Sequence, residues 1–202
     1  MSRFPHASAA RVALLGAALA LAASSLPAQT PAPAPTTTRP AARPEDVRSV
    51  DAIIGALYAS ISGSPGQKRD WDRMRSLFAP DAKMMPLSPT PTGGARPVVI
   101  TVDEYVTRSG ARIEEMGFTE REIARRTEEY GQLVHVWSTY AGGGTAANAP
   151  PPIRGINSIQ LAFDGERWWV VNITWLQERP GNPLPAKYLP GAPGSGAGVS
   201  PR

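Results

Sequence analysis

Two long apolar runs meet at Asp164-Gly165: Ile153–Phe163 before it and Glu166–Glu178 after it. Asp-Gly between β-rich runs is the strongest short-range hairpin signal, because a tight turn needs φ values that Gly adopts freely and Asp tolerates. With a two-residue loop, Phe163 pairs with Glu166, Leu161 with Trp168, Ile159 with Val170 and Asn157 with Asn172. Strand side chains alternate in direction, so these pairs share one face, with Thr174 beyond them. The opposite face carries Trp169, Val171, Ile173 and Trp175 against Gln160, Ser158, Ile156 and Arg154. Both faces are apolar, which a half-solvated sheet does not show. One face is expected to cover helices and the other to meet a second copy of the chain, giving a homodimer through Trp169, Val171, Ile173 and Trp175.

The rest of the chain sets helices before strands. Val47, Val50, Ile54, Leu57 and Ile61 recur at three and four residues and predict a helix over 44–62. Asp70 caps a second helix ending at Phe78, stopped by Ala79-Pro80-Asp81. A short strand spans 83–87, and a Pro/Thr/Gly loop follows over 88–96. Thr101 and Glu104 form a capping box for a third helix over 102–116, closed by Gly117. Strands over 118–129 and 132–140 meet at Tyr130-Gly131. Helices first and strands after predict an α+β fold, with about three N-terminal helices packed on a curved antiparallel sheet.

The ends differ in composition. Residues 1–28 have Arg3 and Arg11 before an apolar run over 12–23 and a small-residue exit ending at Ala28, the pattern of a signal peptide. The run is shorter than the ~20 residues a membrane span needs. The mature protein is therefore expected to be exported, periplasmic or extracellular, with no membrane attachment once the leader is cleaved. Residues 29–44 read as a Pro-rich disordered linker, 45–180 as the folded domain and 181–202 as a Pro/Gly-rich tail.

Charge and composition exclude several function classes. Six of the 21 basic residues (Arg3, Arg11, Arg39, Arg43, Lys187, Arg202) and none of the 17 acidic ones lie outside 45–180. The domain thus holds 15 basic and 17 acidic residues, a net charge of −2. Arg121, Arg125 and Arg126 are interleaved with Glu120, Glu122, Glu128 and Glu129, which reads as a solvated face rather than a nucleic-acid footprint. Cys is absent, so no disulfide, thiolate zinc site or thiol nucleophile is available. With His6 in the leader, His135 is the only mature-chain His, which excludes a multi-His metal site. Gly142-Gly143-Gly144-Thr145 lacks the Lys and helix of a phosphate loop, so no cofactor is expected.

Three segments resemble the nuclear transport factor 2-like superfamily. They are Arg69-Asp70-Trp71-Asp72-Arg73-Met74-Arg75-Ser76-Leu77-Phe78-Ala79-Pro80-Asp81, His135-Val136-Trp137-Ser138-Thr139-Tyr140, and Asp164-Gly165-Glu166-Arg167-Trp168-Trp169-Val170-Val171. The resemblance spans about 45–180 and suggests an exported bacterial subgroup of unassigned activity. It implies a cone whose sheet wraps around helices and encloses a pocket. That fold hosts isomerases, dehydratases, polyketide cyclases and binding modules, so it does not name a function.

Within such a cone, Trp71, Tyr105, Asn157, Trp168, Asn172 and Thr174 are the expected pocket residues, and His135 and Tyr140 the candidates for proton transfer. No carboxylate is placed beside either candidate, because Asp70, Asp81, Asp103 and Asp164 fall at helix starts and turns. The leading reading is a noncatalytic domain that binds a small apolar or amphipathic molecule and dimerises. An isomerase- or dehydratase-type enzyme using His135 or Tyr140, and an envelope assembly module, stay open beside it.

Overall fold

The structure, a computed structural model, describes residues 39–194. The leader, most of the linker and the last eight residues lie outside the described residues. In chain order the elements are α1 Pro44–Val47, α2 Val50–Ile61, α3 Trp71–Leu77, β1 Phe78–Pro89, β2 Ala95–Pro97, α4 Val102–Met116, β3 Phe118–Tyr130, β4 Leu133–Gly144, β5 Ile153–Phe163 and β6 Trp168–Gln177. A 3-10 turn at Ala186–Tyr188 follows.

The helices follow the capping signals, with two corrections. The expected helix over 44–62 is two, because Ser49 is extended and its Oγ accepts from the Ala52 amide at 3.1 Å, starting α2 afresh. Helix α3 ends one residue early: Phe78 is already extended and opens a strand that runs through Ala79-Pro80-Asp81. Asp81 takes φ 60° there, in the stretch between Phe78 and Lys83 where the register of β1 shifts. The Thr101–Glu104 capping box of α4 is formed in both directions. Gly117 closes α4 at φ 60°, where a Cβ would collide with Pro65.

The six strands form one sheet in the order β2-β1-β6-β5-β4-β3. Strand β1 pairs with β6 in parallel, so the sheet is mixed where an antiparallel one was expected. The chain leaves β1, passes through β2, α4 and three further strands, and returns beside β1 in the same direction. One face packs on the helices. Ile53 and Ile54 of α2, Leu77 of α3 and Phe78, Ile159 and Leu161 of the sheet are fully buried there.

The β5–β6 register departs from the two-residue loop. Asp164 Oδ1 accepts the amides of Glu166 at 2.9 Å and Arg167 at 2.8 Å, so the loop is Asp164–Arg167 and the first pair is Phe163 with Trp168. That slip of two leaves the faces unchanged, and Leu161 sits opposite Val170. A bulge then intervenes: Leu161 pairs with Val170 and the adjacent Gln160 with Asn172, so Val171 has no partner. A slip of one exchanges the faces of everything beyond it. Ile159 therefore faces Ile173, and Asn157 faces Trp175, not Asn172.

This exchange removes the expected dimer surface. Ile173 is buried, Trp175 packs edge-on against Tyr105 of α4 at 6.1 Å, and only Trp169 and Val171 remain outside. The outer face of β4 has a cover of its own. The ring of Tyr188 lies 5.6 Å from that of Trp137, and Thr139 Oγ1 donates to the Tyr188 carbonyl at 2.7 Å. Arg126 reaches the Pro193 carbonyl at 2.9 Å. Part of the tail thus covers the outer face of β4 and β3, not the β6 residues Trp169 and Val171 where a second subunit was expected.

Among the described residues no helix is long and apolar enough to cross a membrane.

Candidate functional site

Between α2, α4 and the inner face of the sheet lies a cavity of about 590 Å3. Its walls are apolar, with Leu57, Ile61, Met84, Ile113, Ile173 and Trp175 among them. Among the polar side chains of this lining are Tyr58 from α2, Tyr105 from α4, Glu120 from β3, Tyr140 from β4 and Asn157 from β5.

Each is placed by its element. Strand β3 alternates, so Phe118 and Glu120 point into the cavity and Arg121 points away and is exposed. Tyr140 crosses to β5 over Gly155, where a Cβ would collide with its hydroxyl. Asn157 Nδ2 donates to Tyr58 Oη at 3.0 Å. Tyr58 Oη and Ser138 Oγ are 2.6 Å apart, and Ser138 Oγ donates to Glu122 Oε1 at 2.5 Å. Arg125 binds Glu122 through Nη2 at 2.6 Å and reaches Asp51 of α2. A chain of donors therefore runs from the cavity to an anchored carboxylate and holds Asn157 and Tyr58 in place. Among the described residues every buried side-chain polar atom is partnered.

The electrostatics centre on Glu120. Burial pushes its carboxyl up to about 7, partly offset by a hydrogen bond from the Asn157 amide. Burial also raises the phenols of Tyr58, Tyr105 and Tyr140 above their usual range, and the charge of Glu120 adds to each. The site thus combines a carboxyl poised near neutrality with neutral hydroxyl and amide groups inside an apolar wall. It can bind a polar atom of an otherwise apolar molecule, or exchange a proton with one.

Of the residues expected in the pocket, Tyr105 and Asn157 line the cavity, as does Tyr140. The others lie elsewhere. His135 is on the outer face, its Nε2 2.9 Å from Ser158 Oγ and its ring against Trp137. Alternation with the buried Val134 and Val136 puts it there, across the sheet from the cavity. Asn172 is also outside, donating to Gln160 at 2.7 Å, and Thr174 stands opposite Ser158, because the bulge turned both away. Trp168 packs on Phe163 at the hairpin end of the core, with ring centroids 5.3 Å apart. Trp71 Nε1 donates to Glu114 at 2.9 Å and ties α3 to α4. Glu114 also receives Lys68 and the Arg69 amide, which hold its carboxyl down at about 2.

Sequence reasoning missed Glu120, Tyr58 and Trp175. The signal for Glu120 was its spacing of two from Phe118 on a strand. The surrounding charges instead read as a solvated face, which is incorrect for Arg125, buried with 6% of its surface exposed. Among the described residues no group of three or more His, Cys, Asp or Glu could hold a metal ion.

No protein-family model matches this sequence, and no curated protein matches it significantly. Solved structures do. A nuclear transport factor 2-like protein from Salmonella enterica is 15% identical, with 66% of this chain and 87% of that one covered at a TM-score of 0.46. A hypothetical protein with a ketosteroid isomerase-like fold from Catenulispora acidiphila is 20% identical, covering 68% and 97% at a TM-score of 0.40. A putative calcium/calmodulin-dependent protein kinase II association domain from Xanthomonas campestris is 14% identical, covering 63% and 84% at a TM-score of 0.44. At these identities the likeness concerns the fold alone. The chain packs its helices on one face of a six-stranded mixed sheet beside a cavity, an α+β arrangement consistent with the nuclear transport factor 2-like cone that the sequence resemblance implies.

Proposed function

We propose that the domain binds a small, largely apolar molecule in the cone cavity and meets its polar group with Glu120, Asn157 and the tyrosine hydroxyls. The observation that carries this reading is the cavity itself. Its volume of about 590 Å3 lies within the ~300–1,000 Å3 of small-molecule sites, and its polar groups converge in a mostly apolar wall. The test uses N-phenyl-1-naphthylamine, a neutral dye that brightens in apolar surroundings. The wild type should bind it saturably. Ser109→Trp, which adds an indole to the lining of the cavity, should remove that binding while the melting temperature holds. A wild type that leaves the dye dark would overturn the reading.

A second reading, proton transfer of the isomerase or dehydratase kind, is favoured by one observation. Glu120, with a carboxyl pushed up to about 7, shares the cavity with Tyr140 and Tyr105. A group poised near the working pH is suited to take a proton and return it. Glu120→Gln should abolish turnover yet leave dye binding intact. His135→Ala should change neither, because His135 is across the sheet.

Export is part of the proposal and rests on the leader pattern over 1–28. N-terminal sequencing of the secreted protein should begin at Gln29 or a near neighbour. A mature chain that retains Met1 would remove this part.

A further inference from the structure

The solvent end of the cavity is cationic. Arg108 and Arg112 line it from α4, and Arg179 lines it from the segment after β6. Arg108 and Arg112 are exposed, whereas Tyr58 and Asn157 at the other end are buried. The two acidic residues of the lining do not neutralise this end. Glu178 is taken up by Arg154 at 2.8 and 3.2 Å and by the Leu184 amide at 3.1 Å. Glu120 stands beside Asn157.

The arginines are only lightly engaged. Arg112 makes no hydrogen bond or ion pair within the described residues. Arg179 reaches only the Gly93 and Gly94 carbonyls, both at 3.4 Å. Arg108 has one exposed partner, Glu104, at 3.2 Å. Guanidinium groups with unused donors at the lip of an apolar cavity suit an anionic oxygen pair.

We propose that the ligand is an amphiphile with one anionic head, its apolar body inside the cone and its head held at the mouth by Arg112 and Arg179, with Arg108 beside them. This rests on the cavity-binding reading and adds the class and orientation of the ligand. The interior supports the direction. An anion pushed inward would meet Glu120 and lose water with no cation to replace it, whereas a head at the mouth keeps both water and arginine.

The experiment displaces N-phenyl-1-naphthylamine from the full chain with four ten-carbon compounds: decanoate, decyl phosphate, decan-1-ol and decyltrimethylammonium. One or both anions should displace the dye at concentrations about tenfold below decan-1-ol, since a charge-assisted arginine pair is worth roughly that factor. Decyltrimethylammonium should be no better than decan-1-ol. The better anion identifies the head group as carboxylate or phosphate. In Arg112→Gln/Arg179→Gln the anions should fall to the level of decan-1-ol, while decan-1-ol and the dye itself are unchanged. Higher salt should shrink the wild-type preference. If the dye binds but decan-1-ol competes as well as the anions, or the preference survives the double substitution, the anionic head is wrong and the cavity reading stands. If the wild type binds no dye, both fall.

Discussion

The two faces of the one sheet are built from similar residues and are used differently. The inner face is continuous: Val134, Val136, Ile159, Leu161 and Val170 lose all solvent contact beneath the helices. The outer face is a patchwork. Trp137 is covered by Tyr188, Trp169 lies under the Arg167 guanidinium 3.6 Å above its ring, and Val171 is 37% exposed. The lesson is that apolar composition on two faces does not require two interfaces. Short local covers, a tail segment and a single cation can shield an aromatic ring.

The comparison can be broken most severely from inside. Leu161→Ala opens a cavity at a fully buried position and should cost about 2–5 kcal/mol, read by urea unfolding. Val171→Ala on the opposite side should stay within about 0.5 kcal/mol. Equal effects would mean that the two faces are not distinguished by burial.

Next comes the polar chain at the cavity. Tyr58→Phe removes one acceptor of the Asn157 amide and one partner of Ser138, and should cost about 1–3 kcal/mol. Ser158→Ala, which removes the outer partner of His135, should cost less, because that pair is half-exposed.

Glu120 gives the comparison a pH dependence. Its folded value, about 7, lies above the ordinary 4.5. The folded state therefore holds the proton more tightly than the unfolded one. The cost of the buried carboxylate grows as pH rises from about 4.5 to about 7 and is constant above that. Glu120→Gln should gain on the wild type by roughly 3 kcal/mol more at pH 8 than at pH 4.5. A gain that is the same at both pH values would place Glu120 in water. Glu114 works in the opposite sense: held down at about 2, it contributes stability above about 4.5 that is lost as pH falls towards 2, and it cancels in this difference.

The smaller effects belong to the outer face. Truncation after Asn182 uncovers Trp137 and removes the acceptor of Thr139, and should cost about 1 kcal/mol. It should also raise self-association in light scattering, because an aromatic patch becomes free. Asn172→Ala removes one exposed hydrogen bond to Gln160 and should change stability by less than about 0.5 kcal/mol.

Much of this molecule follows from local rules. Ser49, Asp70, Thr101 with Glu104, and Gly117 place helix ends through hydrogen bonds within a few residues, and three of these four signals are readable in the sequence as caps. The α+β class follows from helices preceding strands, and Asp164-Gly165 marks the last hairpin wherever its register falls. Tyr105 and Asn157 reach the cavity by periodicity alone, since no bulge comes between either of them and its nearest inward neighbours. The remainder was decided in tertiary structure. One unpaired residue, Val171, exchanged the faces of Asn172, Ile173, Thr174 and Trp175, and a bulge costs one residue that composition does not flag. Glu120 became a site residue only when α2 and α4 enclosed it, because a carboxyl on a strand looks solvated until something takes its water away. The parallel β1–β6 pair and the tail laid over Trp137 join residues far apart in the chain, and pairing at that distance is settled by which surfaces remain to be buried.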